Sequence, residues 1–134
     1  MNFFQQELRK IIGYRYPNAS YNFRACYIPL SDELYAKIFF TSCGVANRYE
    51  SLRVTILNSR EGKIDTNQFR FSEVLGRGQT CNPYIQRIGP FVWSENGRAD
   101  WYAYHPGGLD YRKLGDAITN YLKLFMQYPD PEMP

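Results

Sequence analysis

The feature that most constrains this chain is a run of central segments in which apolar residues recur at every second position. Leu52, Val54 and Ile56 alternate with Arg53 and Thr55. Successive side chains of a β-strand point to opposite faces, so this spacing predicts a strand with one buried face. Residues 22–28, 34–42 and 67–71 alternate in the same way. The middle of the chain therefore predicts an antiparallel sheet.

One hairpin of that sheet has a predictable register. The turn-forming residues 59–63 separate the strand at 52–56 from the strand at 67–71. Centring the turn on Glu61-Gly62 pairs Leu52 with Phe71 and Val54 with Phe69. On the reverse face, Arg53 and Arg70 then stand directly opposite each other. A slip of one residue would put the apolar sets on different faces, so such a slip is disfavoured.

Two amphipathic helices enclose the strands. Phe4, Leu8, Ile11 and Ile12 have helical spacing and are followed by Gly13. Near the other end, Asp110 is predicted to cap a helix. The apolar stripe of this second helix contains Leu114, Ala117, Ile118, Tyr121, Leu122 and Phe125.

Further strands are predicted at residues 84–88 and in a hairpin at residues 91–102, which turns at Asn96-Gly97. The order helix, strands, helix predicts an α+β fold. It consists of an antiparallel meander sheet of about six strands, with the N- and C-terminal helices packed on one face. Residues 1–128 form one domain in this prediction, and residues 129–134 form a flexible tail.

Composition narrows the functional classes. The chain has 12 tyrosines, and 11 of its 16 basic residues are arginines. Tyr and Arg are favoured where a surface grips a partner. The net charge of +3 is too small to indicate nucleic acid by itself. Three widely spaced cysteines, no signal-peptide pattern and no apolar run of about 18 residues predict a cytoplasmic protein without a membrane partner.

No catalytic or metal-binding pattern is convincing. The segment from His105 to Gly108 resembles the haem-ligand tetrapeptide of the cytochrome b5 family, but that family needs a second histidine and this chain has one. We interpret the segment as a turn into the last helix. Cys26, Cys43 and Cys81 lack the close spacing of a structural zinc site. We therefore expect no cofactor, no metal and no enzymatic activity.

The sheet face turned away from the helices is the predicted binding surface. Arg53 and Arg70 would repel each other there unless both are solvated or an acidic group lies between them. Flat aromatic and polar groups lie on the same predicted face. The predicted binding residues for a partner or an anion are Arg53, Arg70, Lys37, Tyr35, Phe39 and Gln68.

A second patch is predicted in two loops. Tyr14, Arg15 and Tyr16 belong to a Tyr- and Asn-rich stretch typical of adaptable binding segments. Arg77 lies between two glycines, which let backbone amides converge on an anion. Tyr14 and Tyr16 are equally compatible with covering the junction between helix and sheet.

These features predict a non-catalytic binding protein that acts by occupying another macromolecule, as an inhibitor, immunity factor or accessory factor does. The expected partner is another protein with an acidic surface. The alternative is a module that binds nucleic acid or a nucleotide directly, because aromatic rings and cations on a sheet face also bind single strands. The aromatic surplus is also compatible with a homodimer interface.

Overall fold

The computed structural model describes residues 2–42, 49–76 and 107–126. It confirms the α+β fold, with five antiparallel strands in the meander order β1-β2-β3-β4-β5. The strands are β1 (Ser20–Asn22), β2 (Ala25–Pro29), β3 (Leu34–Ser42), β4 (Tyr49–Asn58) and β5 (Gly62–Arg70). The helices are α1 (Phe3–Ile11), α2 (Phe71–Leu75) and α3 (Gly108–Leu122), with a 3₁₀ turn at Gly13–Arg15. The strands predicted at residues 84–88 and 91–102 and the tail at 129–134 lie outside the described residues.

The helices cover one face of the sheet. α1 packs on β2 and β3, α2 packs on β4 and β5, and α3 contacts both other helices and β5. Most apolar residues of β2, β3 and β4 that face the helices are fully or almost fully buried, Phe69 of β5 is partly buried, and all of them join the helical stripes in one core. Phe40 packs against both α1 and α2, with ring centroids 5.9 Å from Phe4 and 6.0 Å from Phe71.

A capping box fixes the start of α1. The Asn2 Oδ1 atom accepts from the Gln5 backbone amide at 2.8 Å, and the Gln5 side chain accepts from the Asn2 amide at 3.3 Å. Both side chains also donate to the Phe23 carbonyl, at 2.6 and 3.1 Å. The beginning of the chain is thereby tied to the turn between β1 and β2.

The single strand predicted over residues 22–28 is wrong. Phe23 has a positive φ of 56°, which reverses the chain between Asn22 and Ala25. An alternating pattern does not reveal such a reversal, because the two-residue turn leaves apolar residues on both sides of it.

The predicted register of the β4–β5 hairpin is also wrong, by two residues. Leu52 pairs with Phe69, and Val54 pairs with Asn67. Phe71 does not belong to the strand at all, since it is the first residue of α2.

Two local features set the observed register. The Asn58 Oδ1 atom accepts from the backbone amides of Arg60 and Glu61, at 2.8 and 3.1 Å, and so starts the turn early. Ile64 is the extra residue of a bulge, because Leu57 pairs with Lys63 and Ile56 pairs with Asp65. A shift of two residues preserves the faces, so the alternation could not detect it.

The start of α3 also differs from the prediction. The helix begins at Gly108 with Gly107 as its N-cap. Asp110 lies in the first turn, where its carboxylate accepts from the Gly107 amide at 2.9 Å. The carboxylate therefore reaches back to the cap residue instead of serving as the cap itself.

The buried stripe of α3 includes a residue that the sequence does not suggest. Gly115 is buried together with Leu114, Ile118 and Leu122. A β-carbon at Gly115 would collide with the Ile11 carbonyl oxygen. The absence of a side chain at this position therefore allows the backbones of α1 and α3 to approach closely.

Candidate functional site

The sheet has a second face, which points away from α1, α2 and α3 and which we call the outer face. The strand pairings define its rows of neighbouring residues. One row runs across the sheet through Ala25, Phe39, Arg53 and Gln68. The adjacent row contains Tyr27, Lys37, Thr55 and Thr66.

All six residues of the main predicted surface lie on the outer face. Tyr35, Lys37 and Phe39 come from β3, Arg53 comes from β4, and Gln68 and Arg70 come from β5. The register brings Arg53 directly between Phe39 and Gln68. Five of the six are half-buried, and Arg70 is exposed.

The predicted direct opposition of Arg53 and Arg70 is wrong. Arg53 pairs with Gln68, and Arg70 pairs with Ser51. The two arginines are therefore diagonal neighbours on one face. The cause is the two-residue register difference described above, which retains the face of each residue and changes its partner.

Arg53 is held in place by neutral groups. Its Nη1 atom donates to Thr66 Oγ1 at 3.3 Å, and its Nη2 atom donates to Gln68 Oε1 at 3.2 Å. The Gln68 amide in turn donates to Ser51 Oγ at 2.8 Å, and Ser51 donates to the Thr41 carbonyl at 3.3 Å. A chain of hydrogen bonds across three strands therefore orients the guanidinium group.

None of these bonds neutralises the charge. Within residues 2–42, 49–76 and 107–126, no carboxylate forms an ion pair with Arg53 or with Lys37. The hydroxyl and amide partners of Arg53 supply dipoles without a compensating negative charge. The outer face therefore presents two cations whose charges the described residues leave uncompensated.

Aromatic rings adjoin these cations. The Lys37 ammonium lies 5.2 Å from the centroid of the Phe39 ring, within cation–π range. Tyr27 stands opposite Lys37, and its ring centroid lies 6.3 Å from that of Tyr35, with 41° between the planes. The sequence prediction omitted Tyr27 from the site. The alternation of side chains along β2 could have identified it as a residue of the outer face.

The second predicted patch is only partly available for binding. Arg15 donates to Asp116 Oδ1 at 2.5 Å and to Thr119 Oγ1 at 3.1 Å, so it links the 3₁₀ turn to α3. Burial alone would lower the pKa of Arg15, but the hydrogen bonds and charges of Tyr14 and Asp116 raise it. Arg15 is thus committed to the fold. Tyr16 is half-buried against the core, and Arg77 lies outside the described residues.

Of the three described members of that patch, Tyr14 is the exposed one, with 59% of its surface accessible. Its Oη atom accepts from Arg15 Nε at 2.9 Å, and the Arg15 guanidinium lies 5.4 Å from its ring centroid. Because Arg15 is bonded to α3, its contacts with Tyr14 hold the Tyr14 side chain in position.

Two open cavities meet at Tyr14. The first has a volume of about 320 Å³ and is lined by Arg9, Gly13, Tyr14, Tyr16, Pro17, Ala19 and Tyr21. The second has a volume of about 350 Å³ and is lined by Lys10, Tyr14, Gly108, Tyr111 and Arg112. We call the two together the tyrosine groove.

A buried carboxylate contacts two lining residues of the second cavity, Lys10 and Tyr111. Glu7 is only 2% exposed, accepts from the Tyr111 hydroxyl at 2.5 Å and pairs with the Lys10 ammonium at 3.0 Å. The Lys10 ammonium also lies 5.7 Å from the centroid of the Tyr111 ring. These contacts lock α1 against α3.

Tyr21, which lines the first cavity, forms a pair with the thiol of Cys26. Cys26 is fully buried, and its side chain is hydrogen-bonded to that of Tyr21. Burial raises the pKa of Cys26 to about 11, although the hydrogen bond from Tyr21 opposes the shift. Burial, with the adjacent Cys26, raises the pKa of Tyr21 to about 12. Both groups are therefore neutral at physiological pH, and neither is an activated nucleophile.

The part of the chain that the structure describes contains no cluster of three His, Cys, Asp or Glu residues suited to a metal ion. Cys43 and Cys81, the other two cysteines, and His105 lie outside the described residues. Among α1, α2 and α3, no helix has the length and apolar character needed to cross a membrane.

Comparison with protein-family models, with curated proteins and with solved structures found no match for this chain.

Proposed function

We propose that this protein binds another macromolecule through its outer face and acts by occupying it, as an inhibitor, immunity factor or accessory factor does, without catalysis of its own. The observation that carries the proposal is the environment of the Arg53 side chain. It is half-buried, hydrogen-bonded only to neutral Thr66 and Gln68 among the described residues, and flanked by Phe39.

An acidic group on a partner would complete this arrangement. A guanidinium group has five N–H donors, and the described bonds use one on each terminal nitrogen. A carboxylate can accept the remaining donors in a charge-assisted contact, which is stronger than a neutral hydrogen bond. Because the Ser51–Gln68–Arg53 bonds already fix the side chain, little rotamer entropy would be lost on binding.

The aromatic groups would supply the apolar part of the contact. Phe39, Tyr27 and Tyr35 lie beside Lys37 and Arg53, so one patch combines rings with cations. Interface residues that dominate affinity are enriched in Tyr and Arg for this combination of contact area and directed polarity. An acidic protein surface with an apolar centre fits this patch.

A second candidate function is direct binding of a single-stranded nucleic acid. The Lys37–Phe39 and Tyr27–Tyr35 contacts favour it, because sheet faces that carry rings and cations can stack bases and contact phosphates. The half-burial of these residues favours the protein partner, since base stacking requires an accessible ring face. We therefore place the protein partner first.

Affinity capture from the native cell, followed by mass spectrometry, tests the proposal. Arg53→Gln removes the charge and keeps a hydrogen-bonding side chain, and we expect it to reduce recovery of the partner roughly tenfold. Arg60→Gln is the matched control, because Arg60 is exposed at the β4–β5 turn and pairs with Glu33 at 3.3 Å. Circular dichroism of both variants verifies the fold.

Nuclease treatment separates the two candidates. A partner that is retained after nuclease, and lost in Arg53→Gln but not in Arg60→Gln, supports the protein partner. Recovery that disappears with nuclease, together with a steep loss of oligonucleotide binding between 50 and 200 mM salt, would support the second candidate. Equal recovery by Arg53→Gln and the parent chain would exclude the outer face as the docking surface.

A further inference from the structure

We propose that the tyrosine groove is a second docking site, and that its occupant is an acidic, proline-rich segment of another protein. None of the described lining residues of the groove belongs to the rows of the outer face. The proposal is therefore independent of the function proposed for that face, and a failure of one leaves the other intact.

The groove suits an extended ligand. Its two open cavities, of about 320 and 350 Å³, share Tyr14 as a lining residue. A small-molecule site usually buries about 70–90% of the surface of its ligand, which an open surface cleft does not do. An extended chain can instead contact both cavities and leave its outer side in solvent. This geometry favours a peptide over a small molecule.

The lining favours a ligand in the polyproline II conformation. The two cavities present five rings, those of Tyr14, Tyr16, Pro17, Tyr21 and Tyr111. Clefts lined by aromatic side chains are the sites at which proline-rich segments dock. Such a segment is already extended before it binds, so it loses little conformational entropy. That advantage is greatest in an open groove, where little buried area is available to offset the cost of ordering a ligand.

The groove also offers a hydrogen-bond donor to the ligand backbone. Tyr14 Oη accepts from Arg15 Nε at 2.9 Å, a bond that uses an oxygen lone pair and leaves the hydroxyl proton available. No group among the described residues accepts that proton. The carbonyl groups of a polyproline II chain form no internal hydrogen bonds, so Tyr14 can donate to one of them. The hydroxyl groups of Tyr21 and Tyr111 are already bonded within the protein.

The charge of the groove selects an acidic segment. Arg9 lines the first cavity and Arg112 lines the second, and both are exposed. Neither pairs with a carboxylate of the described residues, and none of the described lining residues is acidic. Glu7 lies beside Lys10, but it is buried and the Lys10 ammonium compensates its charge. A ligand with acidic residues on either side of its prolines can therefore form a charge-assisted contact in each cavity.

Fluorescence anisotropy with a synthetic peptide tests the proposal on the full chain. The probe is labelled Asp-Pro-Pro-Glu-Pro-Pro-Asp-Pro-Pro, and we expect saturable binding. One control peptide has Ser in place of every Pro, which removes the preformed conformation. The other has Lys in place of every acidic residue, which reverses the charge. Each control should bind at least about tenfold more weakly than the probe.

Substitutions locate the bound peptide. Tyr14→Ala removes the ring that both cavities share, and we expect about tenfold weaker binding. Arg9→Gln and Arg112→Gln each remove one exposed cation, and we expect a loss of roughly two- to fivefold for each, as for an exposed ion pair. Lys113→Gln is the matched control, an exposed charge change on α3 outside both described linings. It should bind the probe as the parent chain does.

Arg53→Gln distinguishes the groove from the outer face, because an acidic peptide is also attracted to the cations there. Full binding by this variant supports the groove, and loss of binding would assign the peptide to the outer face instead. The inference also fails if the parent chain does not bind the probe, or if it binds all three peptides equally. Displacement of the probe by a single-stranded oligothymidine would assign the groove to nucleic acid. Circular dichroism verifies the fold of each variant, and the peptide comparison does not depend on any variant.

Discussion

The phenol oxygen of Tyr21 occupies the space that a β-carbon on Gly13 would need. Gly13 lies in the 3₁₀ turn after α1, and Tyr21 lies on β1, the edge strand beside it. The Tyr21 side chain also contacts the Cys26 thiol. A residue without a side chain thus sets the contact between the first helix and the edge of the sheet.

Gly13→Ala should therefore destabilise the fold. The added methyl group must displace the Tyr21 ring, and overpacking of this kind costs about 1–3 kcal/mol. Urea unfolding measures the loss. The same substitution in a Tyr21→Phe background should cost less, because the colliding oxygen is absent; an equal cost in both backgrounds would show that Tyr21 is not the obstacle.

Gly115→Ala should also destabilise the protein. Its β-carbon would meet the Ile11 carbonyl oxygen, which is backbone and can move only with the whole of α1. We expect a cost near the upper end of about 1–3 kcal/mol. Gly108→Ala is the matched control, since nothing lies within 4 Å of its β-carbon position. That control should be neutral or stabilise by up to about 1 kcal/mol through helix propensity. Similar losses for the two variants would contradict the close α1–α3 contact.

Removing the Tyr111 hydroxyl should cost more than removing the Tyr121 hydroxyl. Tyr111 donates to the buried Glu7, whereas Tyr121 donates to the exposed Asp65. A lost hydrogen bond to a buried charged group costs about 1.5–3 kcal/mol, and an exposed one costs less. Thermal or urea unfolding of Tyr111→Phe and Tyr121→Phe compares the two directly. The reverse order of stability would show that Glu7 does not depend on this bond.

The Cys26 thiol should react slowly in the folded protein. Its pKa rises from an ordinary 9.0 to about 11, which lowers the thiolate fraction at pH 8 by about 100-fold. Alkylation followed by peptide mass mapping distinguishes Cys26 from Cys43 and Cys81. The same residue in the urea-unfolded chain is the reference, and labelling rates within tenfold of each other would contradict the burial of this thiol.

The same shift predicts a loss of stability at high pH. Above pH 9 the unfolded chain releases the Cys26 proton, whereas the folded chain keeps it up to about pH 11. The folded state then binds more protons, so the free energy of unfolding falls as pH rises through this window. Below pH 9 this contribution is complete and constant. Cys26→Ala should flatten the fall, and an unchanged slope would refute the assignment.

The sequence predicted which face of the sheet each residue occupies better than it predicted which residues pair across neighbouring strands. Alternation placed Lys37, Phe39, Arg53 and Gln68 together, because the period of two depends only on which side of a strand is buried. It could not state that Gln68, and not Arg70, lies opposite Arg53. That detail depends on the Asn58 side chain and on the bulge at Ile64, which act over a few residues and leave the alternation intact.

Helix contacts were predicted less completely than strand faces. The apolar stripe of α3 could be predicted from Leu114, Ile118 and Leu122. The contact at Gly115 could not, because a glycine in the sequence indicates only a low helix propensity. The ion pair between Arg15 and Asp116 could not be predicted either, since it joins residues 101 positions apart. Single-sequence patterns report local periodicity, and these contacts are determined by tertiary packing.

Strands β1 to β5 are neighbours in the sheet in the same order as in the sequence. This order has a consequence for how the chain folds. Each hairpin joins segments that are close in sequence, so the sheet can assemble with little loop-closure entropy. The α1–α3 contact joins residues about 100 positions apart, as in the Glu7–Tyr111 hydrogen bond. The two terminal helices should therefore meet late, and substitutions at their junction should accelerate unfolding more than they slow folding.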